Sequence, residues 1–173
     1  DMDGDGDVDV LASANHSTAF YKVAWFENDG SGGGWNTHII SDNYPKFRCV
    51  YPGDLDGDGD MDVVGANSSS SYSGIEWWRN DDGAGDSWTR FYVDDQYGSP
   101  NFVCCAEING DDTIDVVAPS TISPYQIAWW ESSTTPPDSM WEKHLVSSSS
   151  RDGWELFPVD LDLDGDMDIL CAC

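Results

Sequence analysis

Basic residues are scarce in this sequence of 173 residues. Seven Lys and Arg side chains stand against 33 Asp and Glu, which gives a formal net charge of -26 at pH 7. Nucleic acids and anionic membrane surfaces are bound through clustered basic side chains that displace counterions. The charge balance therefore argues against both as partners and favours a cation as a ligand.

Long apolar runs and helical periodicity are also missing. No run approaches the roughly 18 apolar residues of a membrane-spanning helix, so no membrane insertion is expected. No stretch keeps a 3.6-residue period, which predicts essentially no helix. Hydrophobic residues still make up 39% of the chain and aromatic residues 13%. This apolar content is too high for a disordered acidic tail, so we predict a folded, all-β chain.

The acidic residues are periodic. Four acidic segments begin at Asp1, Asp54, Glu107 and Asp160, each 53 residues after the one before, and they hold 19 of the 33 acidic residues. Between them, four apolar runs recur in each repeat, rich in aromatic and β-branched residues and bounded by turn residues. Four strands about every 50 residues are typical of a β-propeller blade.

The period divides the chain into tandem four-stranded antiparallel blades. We predict a partial blade without its first strand at 1–47, blades at 48–100 and 101–153, and half of a further blade at 154–173. Propellers close with four or more blades. We therefore expect a segment of a longer array, which packs on adjacent repeats or on copies of itself.

Tryptophan pairs support stacked blades. Trp77-Trp78 and Trp129-Trp130 place large rings on both faces of one strand, because successive side chains point to opposite sides. Both faces of a blade are covered by its neighbours, which favours a core role over a sugar-stacking platform.

The acidic segment follows the pattern Asp-x-Asp-x-Asp-Gly-x-x-Asp, which indicates a calcium loop. Calcium takes about six to eight oxygen ligands in flexible geometry. We predict carboxylate ligands at positions 1, 3, 5 and 9, a backbone carbonyl ligand at position 7 and a turn at the Gly of position 6. The predicted ligands of the three good loops are Asp1, Asp3, Asp5, Asp7 and Asp9; Asp54, Asp56, Asp58, Asp60 and Asp62; and Asp160, Asp162, Asp164, Asp166 and Asp168.

The third segment departs from this pattern. Asp112 stands where the other segments have the turn Gly, and a side chain there strains a backbone with positive φ. We predict a weak or empty site. Its remaining candidate ligands are Glu107, Asn109, Asp111, Asp115 and the carbonyl of Thr113.

The acidic segments fit two other interpretations less well. An EF-hand needs a bidentate Glu at position 12, which in the second segment is Gly65, and it needs flanking helices. Solvated acidic turns without a metal would leave four or five like charges in nine residues, which repel one another. Calcium binding is therefore the favoured hypothesis.

These motifs resemble the FG-GAP or VCBS repeat, a blade type also found in the propeller of integrin α-subunits. The resemblance rests on the acidic loop followed by DVLASA or DVVGAN, then VAWFENDGSG and WNTHIIS, and it covers the whole chain. It implies a calcium loop between the innermost strand of a blade, such as 49–53, and the second strand, such as 61–67. It also implies an extracellular protein, secreted or at the cell surface.

Further residues bear on this location. Two N-glycosylation sequons begin at Asn15 and Asn67, just after the predicted second strand, and we predict glycans there. The Cys count is odd, so at least one Cys is free or finds a partner elsewhere. The five are Cys49, Cys104, Cys105, Cys171 and Cys173.

No motif indicates catalysis. The sequence has no G-x-S-x-G elbow, and His38 and His144 occupy the same place in their repeats, so we interpret them as structural positions and not as ligands or bases. We predict a non-catalytic, calcium-stabilised, glycosylated extracellular scaffold. The alternative is a lectin-like or adhesive module that recognises a glycan or an extracellular protein, attached in some cases to a secreted enzyme.

Overall fold

A computed structural model describes residues 1–15, 21–31, 33–42, 46–69, 72–132, 141–148 and 154–172. These residues form strands, turns and bends and contain no helix, so the predicted all-β class is confirmed. Accordingly, this part of the chain has no helix long and apolar enough to cross a membrane. Cys173 and the sequon residues after Asn15 lie outside the described residues.

The strands form four antiparallel sheets that follow one another along the chain. The first sheet holds β1 (Val10–Asn15), β2 (Tyr21–Asn28) and β3 (Trp35–Ser41); the second β4 (Phe47–Gly53), β5 (Asp62–Ser68), β6 (Ser73–Asn80) and β7 (Trp88–Asp94); the third β8 (Cys104–Ala106), β9 (Asp115–Ser120), β10 (Gln126–Glu131) and β11 (Glu142–Ser147); the fourth β12 (Glu155–Val159) and β13 (Asp168–Ala172).

The sheets repeat one another down to their irregularities. The pairing of β2 with β3 shifts register between Val23 and Ala24. The pairing of β6 with β7 shifts at the equivalent Ile75, and that of β10 with β11 at Ile127. A shift of this kind bends and twists a strand locally. The repeat therefore specifies the curvature of each sheet as well as its strand order.

Apolar side chains fill the spaces between successive sheets. One cluster joins the first and second sheets through Trp25, Val63 and Trp78. A second cluster joins the second and third sheets and includes Trp77 and Trp130. A third lies between the third and fourth sheets. Each inner sheet thus buries both of its faces, which is the arrangement that adjacent blades require.

The tryptophan pairs lie in these clusters. Trp77, Trp78 and Trp130 are all buried, which confirms their predicted core role. Trp129 is only half-buried, on the face of the third sheet that packs on the fourth. The fourth sheet has two strands in the described part of the chain, so it covers this ring only partly.

In the first three acidic segments, an apolar residue at position 2 connects the segment to the following sheet. Met2 packs with Val63 and Trp78 of the second sheet, and Leu55 packs in the cluster shared with the third sheet. Leu55 is 3% exposed, whereas Leu161, at the same position of the last segment, is 67% exposed. The acidic segments are therefore anchored by burial as well as by charge.

We expect Leu55→Ala to lower the free energy of unfolding by about 3 kcal/mol, because the substitution leaves a cavity between two sheets. The matched variant Leu161→Ala removes the same atoms from an exposed position and should stay within about 0.5 kcal/mol of the parent. Urea denaturation of both variants measures the difference. Equal effects of the two substitutions would contradict the anchoring role.

Candidate metal centre

The acidic segments occupy one equivalent place in the sheets. The second, 54–61, joins β4 to β5; the third joins β8 to β9, and the fourth joins β12 to β13. These three segments run from the first to the second strand of their sheets, as the family resemblance implies, and the first segment precedes β1. The four segments are called the acidic loops below.

Each acidic loop contains two residues with positive φ. In the second loop these are Gly57 (φ 76°) and Gly59 (φ 97°), and in the first Gly4 and Gly6. Sequence analysis identified only position 6, where Asp112 of the third loop has φ 66°, as predicted for a strained turn. The pattern leaves position 4 unspecified, although three loops have Gly there; in the fourth loop Leu163 occupies it, with φ 63°.

Carboxylates fold the loop by accepting backbone N–H groups. Asp54 accepts hydrogen bonds from the N–H of Gly57 at 2.8 Å and of Gly59 at 3.0 Å. Asp56 accepts from the N–H of Asp58 at 3.3 Å, and Asp58 from that of Asp60 at 2.9 Å. Such Asx turns let short acidic side chains replace regular backbone pairing. The acidic residues thus determine the path of the loop besides supplying its charge.

Position 9 has a structural role that sequence analysis did not identify. One oxygen of buried Asp62 accepts the N–H of Leu55 at 3.0 Å, and the other accepts the N–H of Asn80 at 2.8 Å. Asp9 and Asp115 make the same two bonds in their own sheets. Position 9 therefore ties the start of the loop to the end of the third strand of the sheet. The signal in the sequence for this structural role is an Asp directly before a short apolar run.

Three loops bring carboxylates together within 4.8 Å of one another. The sets are Asp1, Asp3 and Asp5; Asp54, Asp56 and Asp58; and Asp160, Asp162 and Asp168. An oxygen-only donor set on a flexible loop fits Ca²⁺. Position 9 joins the set only in the fourth loop, and the carbonyl ligands at position 7 stay a prediction.

The third loop forms no such set among the described residues. Glu107 accepts the N–H of Gly110 and Asp111 accepts that of Thr113 at 2.9 Å, so the turn itself is retained. Its hydrogen bonds with Thr113 lower the pKa of Asp111. The loop thus keeps its shape with fewer clustered charges, and its weak or absent metal binding stays a prediction.

Burial and repulsion act against ionisation in the loops. Burial raises the pKa of Asp62 to about 7, with a smaller contribution from the charges of Asp56 and Asp58. Burial likewise raises the pKa of Asp115 to about 6. The pKa of Asp56 is raised by burial and by the charges of Asp58 and Asp54. Without a cation, these loops hold their negative charge at a cost.

Glycosylation at Asn67 stays a prediction, and the fold buries the side chain that would carry the glycan. Asn67 is fully buried. Its Nδ2, the atom that would carry the glycan, donates a hydrogen bond to Oε1 of Glu76 at 3.3 Å. Asn67 aligns with Ala14 of the first repeat and not with Asn15, and this offset of one residue reverses the side-chain direction in a strand. The side chain of Asn15 lies outside the described residues, so that sequon stays a prediction.

Stacked antiparallel sheets with acidic loops at a fixed period define a tandem-repeat β protein. A family model described as the FG-GAP-like repeat matches residues 1–65 and 54–118, and the two matches overlap on the second acidic loop. Together they span more than half of the chain, which therefore belongs to the FG-GAP-like repeat family. No curated protein matches the sequence.

In metal-free protein, we expect Asp62 to make stability fall as the pH rises. Its pKa is about 7 in the folded chain and about 3.9 when unfolded, so between these values only the native state holds the proton. Unfolding free energy should drop by about 2 kcal/mol more between pH 5 and pH 7 in the parent than in Asp62→Asn. Urea titrations in EDTA at both pH values test this, and equal pH slopes would contradict it.

We expect Leu163→Gly to stabilise the chain. A left-handed conformation costs a residue with a Cβ about 1–2 kcal/mol, of which the greater freedom of Gly in the unfolded chain cancels about half. Leu163 is 85% exposed, so no packing is lost. Thermal unfolding should show a gain of about 0.5–1 kcal/mol, and Leu163→Ala, which keeps the Cβ, should show none. A gain with Ala as large as with Gly would exclude the backbone explanation.

Proposed function

We propose that this protein is a non-catalytic, calcium-stabilised structural repeat module that acts outside the cell. The observation that carries the proposal is the set of three carboxylate clusters at equivalent places in the stack. Like charges held this close repel, and burial raises the cost further at positions such as Asp62. A bound divalent cation would turn this repulsion into attraction.

In the second loop, Asp54, Asp56 and Asp58 would hold the ion, and the carbonyl of Asp60 would supply a further oxygen. Asp62 connects this loop to Leu55 and Asn80 in the same sheet. Leu55 in turn is buried against the following sheet. Calcium at the loop would therefore stabilise both a sheet and its contact with the next, which suits a scaffold assembled from adjacent repeats or from copies of the chain.

The cysteines are compatible with the proposed extracellular location. Cys49, Cys104 and Cys105 carry free thiols. Burial raises the pKa of Cys104 to about 12 and that of Cys105 well above its usual range. Thiols that do not ionise react slowly with oxidants and disulfides. These side chains can thus stay reduced in an oxidising compartment. Calcium sites of extracellular modules bind with dissociation constants of about 10⁻⁴ to 10⁻³ M, so even a weak site is occupied there.

We expect Ca²⁺ to raise the melting temperature of EDTA-treated protein, because ions that bind only native loops stabilise by mass action. Each site contributes about 2.7 kcal/mol at a free concentration of 100 times its dissociation constant. Mg²⁺ should stabilise less, since it demands octahedral geometry and dehydrates reluctantly. Differential scanning calorimetry measures both effects, and an unchanged melting temperature with Ca²⁺ would refute the proposal.

A substitution in the second acidic loop tests whether calcium binds there. Asp56→Asn keeps an oxygen that accepts the N–H of Asp58 but removes one charge, so calorimetric titration should find one Ca²⁺ site fewer. Asp95→Asn makes the same charge change at an exposed residue outside the acidic loops and should leave the stoichiometry unchanged. Parallel losses in both variants would indicate nonspecific ion accumulation.

A further inference from the structure

A second cluster of metal-ligating side chains lies outside the acidic loops, on one face of the third sheet. Glu131 of β10 pairs directly with Glu142 of β11, and Trp129 pairs with His144. Ligand atoms of Glu131, Glu142 and His144 all lie within 4.8 Å of one another. Nε2 of His144 is 2.9 Å from Oε2 of Glu131.

Two carboxylates opposite each other on neighbouring strands repel, and such pairs destabilise a sheet. The neighbouring cation on β11, Lys143, does not relieve this repulsion. Its Nζ lies 4.4 Å from the ring centre of Tyr97 and 3.6 Å from a carboxylate oxygen of Asp94, and as the residue between Glu142 and His144 it faces the other side of the sheet. The Glu131–Glu142 pair therefore needs another explanation.

The other sheets show that packing does not require these three residues. The equivalent set in the first sheet is Glu27, Asn36 and His38, where the Asn36 amide donates to Glu27 at 3.2 Å. The equivalent set in the second sheet is Arg79, Thr89 and Phe91. The third sheet thus has a charged acceptor, Glu142, where the first has a donor.

The aromatic ring is the part that packing does require. Trp25 stacks on His38 with ring centres 4.2 Å apart, and Trp77 stacks on Phe91 at 5.0 Å. Trp129 stacks on His144 at 4.2 Å with an interplanar angle of 15°. Because Phe91 fills this place in the second sheet, the imidazole nitrogens of His144 are not needed for stacking. Stacking instead fixes the plane of the imidazole beside two carboxylates.

We propose that Glu131, Glu142 and His144 bind a divalent transition-metal ion of the Zn²⁺ class. Zn²⁺ takes an imidazole nitrogen and carboxylate oxygens, and three protein ligands leave a position for water, whereas Ca²⁺ prefers an all-oxygen set. Glu142 is exposed on the edge strand β11, so an ion reaches the site from solvent. His144 is then a ligand as well as a structural residue, which revises its interpretation from sequence. This site does not depend on the proposed function of the acidic loops.

Calorimetric titration with ZnCl₂ in saturating Ca²⁺ tests the proposal on the full chain. Ca²⁺ in excess competes with Zn²⁺ for oxygen-only sites, and the His144 and Glu142 variants assign the remaining Zn²⁺ whether or not the acidic loops bind Ca²⁺. The parent should bind one Zn²⁺ that His144→Phe and Glu142→Thr each weaken by at least about tenfold. Both substitutions install residues that the second sheet carries at these places, Phe91 and Thr89, so circular dichroism should show an unchanged fold. Equal Zn²⁺ affinity in the parent and in His144→Phe would overturn the proposal.

A gain of function provides the second test. Asn36→Glu gives the first sheet the same three residues as the third, with Glu27 and His38 already in place 2.8 Å apart. The variant should bind a second Zn²⁺, and Co²⁺ in its place should double the visible absorption of the bound metal. Asn36→Thr, which copies the second sheet, should bind no more metal than the parent. Equal stoichiometry in the Glu and Thr variants would count against the assignment.

Discussion

Burial of both faces of each sheet is the constraint on which the rest of this structure depends. A sheet with Trp77 on one side and Trp78 on the other cannot face water on either, so it is stable only between two neighbours. The acidic loops contribute to this burial in successive sheets. Their position-2 side chains enter the next apolar cluster, and their position-9 carboxylates bond the buried backbone below.

Much of the fold could be predicted from the period. A repeat of 53 residues with four apolar runs predicts strand order, and Gly at position 6 predicts a left-handed turn, including its strain at Asp112. The left-handed residue at position 4 was not predicted because the loop pattern leaves that position unspecified, although three loops have Gly there and the fourth has Leu163. The burial of Asn67 could not be predicted from the period either, because an offset of one residue is small against a period of 53 but reverses the face in a strand.

The oxygen ligands of the candidate site could be predicted from the sequence. Which carboxylates cluster, and which one bonds the backbone of another strand, could not. Sequence analysis treats the carboxylates at positions 1, 3, 5 and 9 as equivalent ligands. Their partners distinguish them, because Asp62 joins Leu55 to Asn80 on another strand, whereas the bonds of Asp54 stay within the loop and Asp54, Asp56 and Asp58 converge. Only three-dimensional structure shows which N–H groups are near. The same holds for Glu131 and Glu142, which are 11 residues apart in sequence and directly opposite in the sheet.

The buried side chain at position 2 gives the stack a direction. Each acidic loop is completed by the sheet that follows it, as Met2 is by the second sheet and Leu55 by the third, and Leu161 without such a cover is exposed. Loop order thus propagates from one repeat to the preceding one. If the loops bind calcium as proposed, the last loop of an array of such repeats has the lowest affinity, because no following sheet covers it. Calcium then leaves first from the loop with no sheet after it, and an array loses its ions from its C-terminal side inward.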